Sequence, residues 1–272
     1  MGNPKRSNAT LGIEGAENHP QFVTALARGL AILRCFEHGA PQLGNQDIAR
    51  RTGLPKPTVS RLTFTLASLG YLSYSAASEK YTLGLRVLAL GHAFTRYNDV
   101  AMLARPLMAE LAQYTKAAVT LGGWGGGQMI LIEVAQGDPD FNLKLEAGAR
   151  VPHGATALGR ACLAGFDAEG FEAGLASVQK DCAPEAWPGI RSSLLRARAD
   201  FSQYGFCFSY GEWSPDLFAV GVPLLSSDHA RALALSCSGR LSMATREQLI
   251  HDFGPRLVAL RNRVLEMTGG RF

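Results

Sequence analysis

The sequence predicts an α+β chain with three parts: an N-terminal winged helix-turn-helix over residues 21–85, a helical linker over 86–100, and a C-terminal α/β domain over 101–272. Three observations lead there. Before residue 85, three helix signals are followed by two short strand signals. After residue 100, amphipathic helices mix with β-rich runs. The charge is also uneven: residues 1–100 carry 11 Lys/Arg against 6 Asp/Glu, a net of +5, whereas residues 101–272 carry 16 against 17, a net of −1. A polyanionic partner is therefore sought on the first part.

A chain of 272 residues suits two domains at about 100–200 residues each. With 47% hydrophobic and 18% charged residues it can bury cores and is not disordered overall. Five cysteines (Cys35, Cys162, Cys182, Cys207, Cys237) are scattered and never spaced C-x-x-C, which suits reduced thiols in a cytoplasm. No uninterrupted apolar run approaches the roughly 18 residues of a membrane span. The first twenty residues lack the apolar core of a signal peptide and read as a flexible tail. The expectation is a soluble, cytoplasmic protein without a membrane partner.

The first helix takes Leu26, Leu30, Leu33, Ile32 and Phe36 as one apolar face, ended by EHGAP. A short second helix fits NQDIARRTG, with Asn45 as N-cap and Gly53 as stop. Pro55 and Pro57 fit a helix entry and not its interior. From there Val59, Leu62, Leu66 and Leu69 form an inward stripe until Gly70 ends the third helix. YLSYS and KYTL read as two strands joined by AASE.

In such an order the helix after the tight turn enters the major groove, with residues near its N-terminus meeting base edges. Between Arg50 and Arg61 lie four cations and no acid. Lys56 and Arg61 can reach phosphate or guanine edges, and Thr58, Ser60 and Thr65 are short polar groups outside the apolar stripe. Arg50, Arg51 and Arg28 are candidate phosphate contacts, and Lys80 sits on the wing. The expected partner is double-stranded DNA. A solvated helix face, or a winged helix that binds protein instead, is the alternative.

In the linker Val87, Leu90 and Phe94 share a helix face with Leu88 beside them, surface for a second copy of the chain or for the domain's own body. LARPLMAELAQYT is an amphipathic helix, and AAVTLGG and QMILIEVAQ are strands around GGWGGG. That glycine cluster lacks the Lys and Ser/Thr of a phosphate loop and reads as a hairpin turn bearing Trp124, which covers a ligand or a sheet edge. After Pro152 come Gly154, Ala155, Thr156, Ala157, Gly159 and Ala161. A helix starting there offers bare backbone N–H groups to a carboxylate, or its small residues allow close helix–sheet packing. GFCFSYGE and DLFAVGVPLL are apolar strands around a polar turn. ALALSCSGR is a strand with Ser236 and Ser238 on one face and Cys237 on the other, two hydroxyls for a carboxylate or phenol, or polarity facing water.

Catalysis has little support. The histidines show no metal-ligand spacing, the cysteines no zinc knuckle, and LSCSGR is not a nucleophile elbow. Cys162 beside Arg160 has a conceivable lowered pKa, but a buried inert thiol is the better reading. No catalytic residue, metal or cofactor is expected.

Several stretches, in order from Phe22 to Met267, resemble the IclR family of bacterial transcription regulators: ALARGLAILRCF, DIARRTGLPKPTVSRLTFTLASLGYL, YTLGLRVLALG, LARPLMAELAQYT, VPHGATALGRACLA, YGFCFSYGE and AVGVPLL with ALALSCSGR. The resemblance implies a DNA-binding winged helix, a helical linker and a GAF-like α/β effector-binding domain. It also implies a homodimer or dimer of dimers that responds to a small organic acid, often aromatic. By family position the pocket-facing set is Gly154, Ala155, Ser209, Ala219, Ser236 and Ser238, with Thr156 beside them and Phe208 and Phe218 as neighbours. Many members carry an acid where Ser209 aligns, a cysteine at Ala219, and His or Tyr at Gly154, with His153 one place early. These departures lead to an expectation of a roomier, less polar pocket for a ring-bearing acid.

Overall fold

Helix boundaries in the N-terminal unit follow from a few residues with restricted backbones. The computed structural model describes residues 18–272 apart from 38, 40, 97, 126–127, 139–144 and 228–230. Most of the tail expected at residues 1–20 lies outside the described residues. Helix α1 (Thr24–Arg34) runs into a 3₁₀ turn, Cys35–Glu37. It turns Gly29 and Ile32 inward, followed by Cys35 and Phe36, while Leu26 and Leu30 are 63% and 52% exposed. The expected apolar face is thus split, with one edge in the core and the other bare.

Helix α2 (Asn45–Thr52) is capped by Gly44, not Asn45: the Gly44 N–H donates to Asp47 Oδ2 at 3.2 Å. Asn45 instead accepts from the Thr63 hydroxyl at 3.1 Å, which ties α2 to α3 (Lys56–Ser68). Gly53 ends α2 at φ 70°, a left-handed position where a side chain would be strained. Pro55 and Pro57 occupy the N-cap and first turn of α3, where no intrahelical N–H bond is lost. The inward stripe of α3 is Val59 and Thr63, with Leu62 and Leu66 half-buried, while Leu69 is exposed. Thr63 is tolerated there because its hydroxyl also reaches the Val59 carbonyl at 3.0 Å.

Strands β1 (Leu72–Ser75) and β2 (Lys80–Leu83) form the wing, pairing Leu72 with Leu83 and Tyr74 with Tyr81. Helix α4 (Leu85–Arg96) follows and buries no residue. Leu85, Leu88, Leu90 and Phe94 are all more than half exposed.

A second compact unit begins at Asn98. Asn98 caps α5 (Asp99–Thr115) by accepting the Ala101 N–H at 3.1 Å, so this helix starts four residues before the LARPL stretch. The linker expected to reach residue 100 is therefore divided between α4 and the first turn of α5. Next come β3 (Ala118–Trp124), β4 (Gln128–Ala135), β5 (Arg150–Pro152), α6 (Ala157–Ala164), α7 (Ala168–Asp181) and α8 (Trp187–Tyr204). Then follow β6 (Cys207–Tyr210), β7 (Leu217–Leu225), β8 (Ala232–Arg240), α9 (Arg246–Gln248) and α10 (Gly254–Thr268). The six strands make one antiparallel sheet in the order β5-β4-β3-β8-β7-β6.

The two faces of this sheet differ by strand parity. Val119, Leu121, Phe218, Val220, Val222, Leu235 and Cys237 pack with α5 and α10 in a large apolar core. The opposite face carries small residues, Ala219, Gly221, Ala234, Ser236 and Ser238, and receives α6. A Cβ on Gly221 would lie 2.4 Å from the Ala157 carbonyl oxygen. Helix α6 sits that close because neither surface has a side chain to hold it off. Among the described residues no helix is long and apolar enough to cross a membrane.

Candidate functional site

On the N-terminal unit, α1 and α3 border an open groove of about 620 Å³ lined by Arg28, Thr58, Ser60, Arg61, Phe64 and Thr65. The helix-turn-helix turn, fixed by Gly53 and Pro55, aims the first two turns of α3 outward, with Lys56, Ser60, Arg61 and Thr65 exposed. The Thr65 hydroxyl donates to the Arg61 carbonyl at 3.0 Å, leaving its lone pairs outward. Lys80 opens β2 on the wing and is exposed.

Two of the expected cations are already engaged. Arg50 donates to Asp47 Oδ1 at 2.8 Å, and Arg51 donates to the Cys35 carbonyl at 2.7 Å. Arg51 thereby secures the end of α1 against α2. The Asp47 carboxyl is held below its usual range, first by the Gly44 N–H and then by Arg50, with Lys80 adding to the same field. Reading the cations from 50 to 61 without an acid missed this pairing, because Asp47 lies one turn upstream. Phe64, 71% exposed and lining the same groove, was also missed, since its aromatic side chain gives no polar signal.

In the second unit a cavity lies between the small-residue face of the sheet and the N-terminus of α6. Its lining includes Thr120, Thr156, Ser209, Ser236 and Ser238, with Val151, Leu131, Leu145, Leu158, Leu217 and Ala219 as apolar wall. Ser209, Ser236 and Ser238 are 3%, 5% and 8% exposed, so they do not face water. Ser236 and Thr120 share a hydrogen bond of 2.7 Å in which either hydroxyl can donate. Thr156 caps α6, accepting the Gly159 N–H at 3.2 Å while donating to the Pro152 carbonyl at 2.7 Å. The Arg160 N–H goes to the Thr156 carbonyl at 3.0 Å. The N–H groups of Ala157 and Leu158, in the first turn, have no carbonyl within their own helix and sit at the positive end of its dipole. Among the described residues no charged side chain lines the cavity.

The expected set is only partly assembled. Thr156, Ser209, Ala219, Ser236 and Ser238 line the cavity; Gly154, Ala155, Trp124 and Phe208 do not. The helix begins at Ala157, so Gly154 falls in the preceding turn, where a Cβ would lie 2.3 Å from Ile190 Cγ2. Gly159 likewise allows α6 to approach the His153 backbone. The packing reading of these small residues therefore holds at Gly154 and Gly159, and only the start of α6 faces the cavity. Trp124 stacks on the buried His153 ring at 3.7 Å and meets Phe166 edge-on, placing it in the core on the α7 side. Phe208 is on the opposite side of β6 from Ser209, under the Arg246 guanidinium at 5.1 Å. Phe218 borders the cavity, but its ring packs on Phe253 at 5.8 Å in the other core.

Trp213, on the turn between β6 and β7, lines the cavity and was read only as part of a polar turn. Its neighbour Glu212 pairs with Arg160, which is 5% exposed and also donates Nε to the Gly154 carbonyl at 3.0 Å. The Ser193 hydroxyl donates to the same carboxylate at 3.3 Å. The turn bearing Trp213 is thus tied to both α6 and α8. The cavity holds about 40 Å³. Small-molecule sites run to about 300–1,000 Å³, so the roomier pocket expected from the sequence is not what this conformation shows. Its described lining is mostly apolar, with five hydroxyl groups set into it. Cys162 lies in α6 at 0% exposure, where burial pushes its thiol up to about 12. A lowered pKa beside Arg160 is therefore overturned. Among the described residues no cluster of His, Cys, Asp and Glu is placed to hold a metal ion.

A winged helix with a cationic outer face, followed by an α/β unit with a small cavity bearing buried hydroxyls, defines a DNA-binding regulator with an effector domain. Residues 25–76 match the IclR helix-turn-helix domain, and residues 92–262 match the bacterial transcriptional regulator IclR C-terminal domain. The chain belongs to the IclR family, whose members are transcriptional regulators and not enzymes. It is 33% identical over 243 residues to the HTH-type transcriptional regulator TsaQ1/TsaQ2 of Comamonas testosteroni, covering 89% of this chain and 87% of that one. Among solved structures it is similar to an IclR family transcriptional regulator from Brucella abortus, with 41% identity, a TM-score of 0.85, and coverage of 92% and 94%. An IclR homolog from Microbacterium hydrocarbonoxydans, complexed with 4-hydroxybenzoate, matches at 21% identity and a TM-score of 0.69 over 89% and 97% of the two chains. At that identity the likeness shows the fold.

Proposed function

We propose that this regulator senses a small organic acid bearing a ring, with the acid group against the start of α6 and the ring along Val151, Leu158 and Leu217. The observation that carries this reading is the set of buried hydroxyls facing the first-turn N–H groups of a helix. Buried hydroxyls are costly unless bonded, and a helix N-terminus favours an anion. A carboxylate or phenolate satisfies both demands. The complex of the Microbacterium homolog makes 4-hydroxybenzoate the first compound to try.

In the same reading Arg28, Lys56, Thr58, Ser60, Arg61, Thr65 and Lys80 hold the operator, with Arg50 and Arg51 in lesser roles. Residues 86–100 serve as linker, and the bare face of α4 with Leu26 and Leu30 of α1 meets a second copy in a cytoplasmic homodimer or dimer of dimers. This supports a coupling in which the ligand alters how two winged helices fit two half-sites, at about 1–3 kcal/mol, or roughly 5–150-fold in affinity.

The test is binding of the purified chain to its own upstream intergenic DNA at two salt concentrations, with a panel of aromatic and aliphatic acids. Salt-sensitive, sequence-selective binding altered by one ring-bearing acid is expected. An aliphatic acid as the sole active compound would refute the ring, and no response to any acid would refute the ligand class.

A further inference from the structure

The groove-facing side of α3 contains one residue whose chemistry the polar contacts do not account for. Phe64 is 71% exposed, the most exposed aromatic side chain among the described residues. A recognition helix lying in the major groove presents residues at i, i+3, i+4 and i+7 to the bases, as the reading residues of homeodomains do. Counted from Pro57 that set is Pro57, Ser60, Arg61 and Phe64. All four are exposed, and the last three line one groove with Arg28. Phe64 is therefore on the reading face.

A phenyl ring there has no hydrogen bond to offer a base edge. In the major groove the one apolar group that distinguishes a base pair is the C5-methyl of thymine. Water leaves both surfaces when ring and methyl meet, so the contact is favourable where a cytosine or purine edge would lose a polar partner. The nearby cations, Arg61 and Arg28, keep a polyanion as the occupant of this groove and disfavour a second apolar chain surface.

We propose that Phe64 is a specificity-determining residue that reads a thymine methyl, one per half-site, inward of the bases met by Ser60 and Arg61. This deepens the DNA-binding reading of α3 and rests on it.

The experiment selects sites from a randomised duplex library with the full chain and with Phe64→Ala, then replaces each selected thymine by deoxyuridine, which removes only the methyl. For the natural sequence, one such replacement is expected to weaken binding about fourfold per half-site, the worth of burying one methyl-sized group. The Phe64→Ala protein is expected to bind the thymine and deoxyuridine sites equally while still selecting the bases read by Arg61. Being so exposed, the side chain is not needed for folding. Equal methyl dependence in both proteins overturns the proposal, as does its absence from the natural sequence. A Phe64→Ala protein that weakens on all sequences alike and loses oligomeric mass overturns it too, placing the ring against a second copy. If neither protein selects any sequence, the DNA-binding reading falls and this inference with it.

Discussion

Substituting Lys80 by Ala tests which cations are free to meet phosphate. Among the described residues Arg28, Lys56, Arg61 and Lys80 have no ion-pair partner, whereas Arg50 is bonded to Asp47 at 2.8 Å and Arg51 to the Cys35 carbonyl at 2.7 Å. In a complex of two copies the free set amounts to about eight cations that displace counterions, Arg61 included although it meets a base edge, for a slope of log affinity against log salt of about −7. Doubling the salt then weakens binding roughly 150-fold. Lys80→Ala removes two contacts and should flatten the slope to about −5.5, so the same doubling costs roughly 40-fold. Fluorescence anisotropy on one DNA duplex across five salt concentrations gives these slopes directly. Arg50→Ala and Arg51→Ala should change the slope by less than half as much. A slope for Arg51→Ala as shallow as that for Lys80→Ala would refute the assignment of free and committed cations.

Three further outcomes follow from the packing. Gly221→Ala puts a Cβ 2.4 Å from the Ala157 carbonyl oxygen and 3.0 Å from Ala161 Cβ, so α6 must lift. Overpacking of this kind costs about 1–3 kcal/mol. Calorimetry should find the transition lowered by about 2–4 °C per kcal/mol, and an unchanged midpoint would contradict the close approach. A thiol reagent should label Cys182 quickly in the native protein, while Cys162, Cys207 and Cys237, whose thiols burial pushes up to about 12, react only on unfolding. Fast labelling of any one of these three would show the core to be open. The Asp200 carboxyl is raised by burial first, against the pull of Arg246. Its native form therefore holds a proton more tightly than the unfolded chain, and stability associated with that proton is lost as pH rises through the raised pKa. Asp200→Asn should stabilise the protein near pH 7 and have little effect well below pH about 3.8, as followed by denaturant unfolding.

Much of the N-terminal unit was legible because its signals are local. Gly53 and Gly70 stop helices at positive φ, and Pro55 and Pro57 can stand only at a helix entry. The alternation of Ser236, Cys237 and Ser238 was legible for the same reason, since strand geometry alone sends them to opposite faces. Asn45 looked like a cap, but Gly44 fills that role because the Asn45 amide is drawn to Thr63 across the turn. Leu26 and Leu30 have the spacing of a buried face, yet among the described residues nothing covers them.

The cavity was legible only in pieces. Ser209, Ser236, Ser238, Thr156 and Ala219 were named for their position, but Trp213 and Thr120 were not, and Trp124 and Gly154 turned out to belong to packing. Periodicity and turn chemistry act over a few residues, so the sequence by itself determined the winged helix, the strand faces and the start of a small-residue helix. Which of those pieces converge is decided by packing over long separations, as in the hydrogen bond that joins Thr120 to Ser236 across 116 positions. Only long-range packing could bring α6 onto Gly221 and set the Arg160–Glu212 pair beside Trp213, and so shape the cavity. Those contacts depend on shape and desolvation between distant segments, which no local pattern encodes.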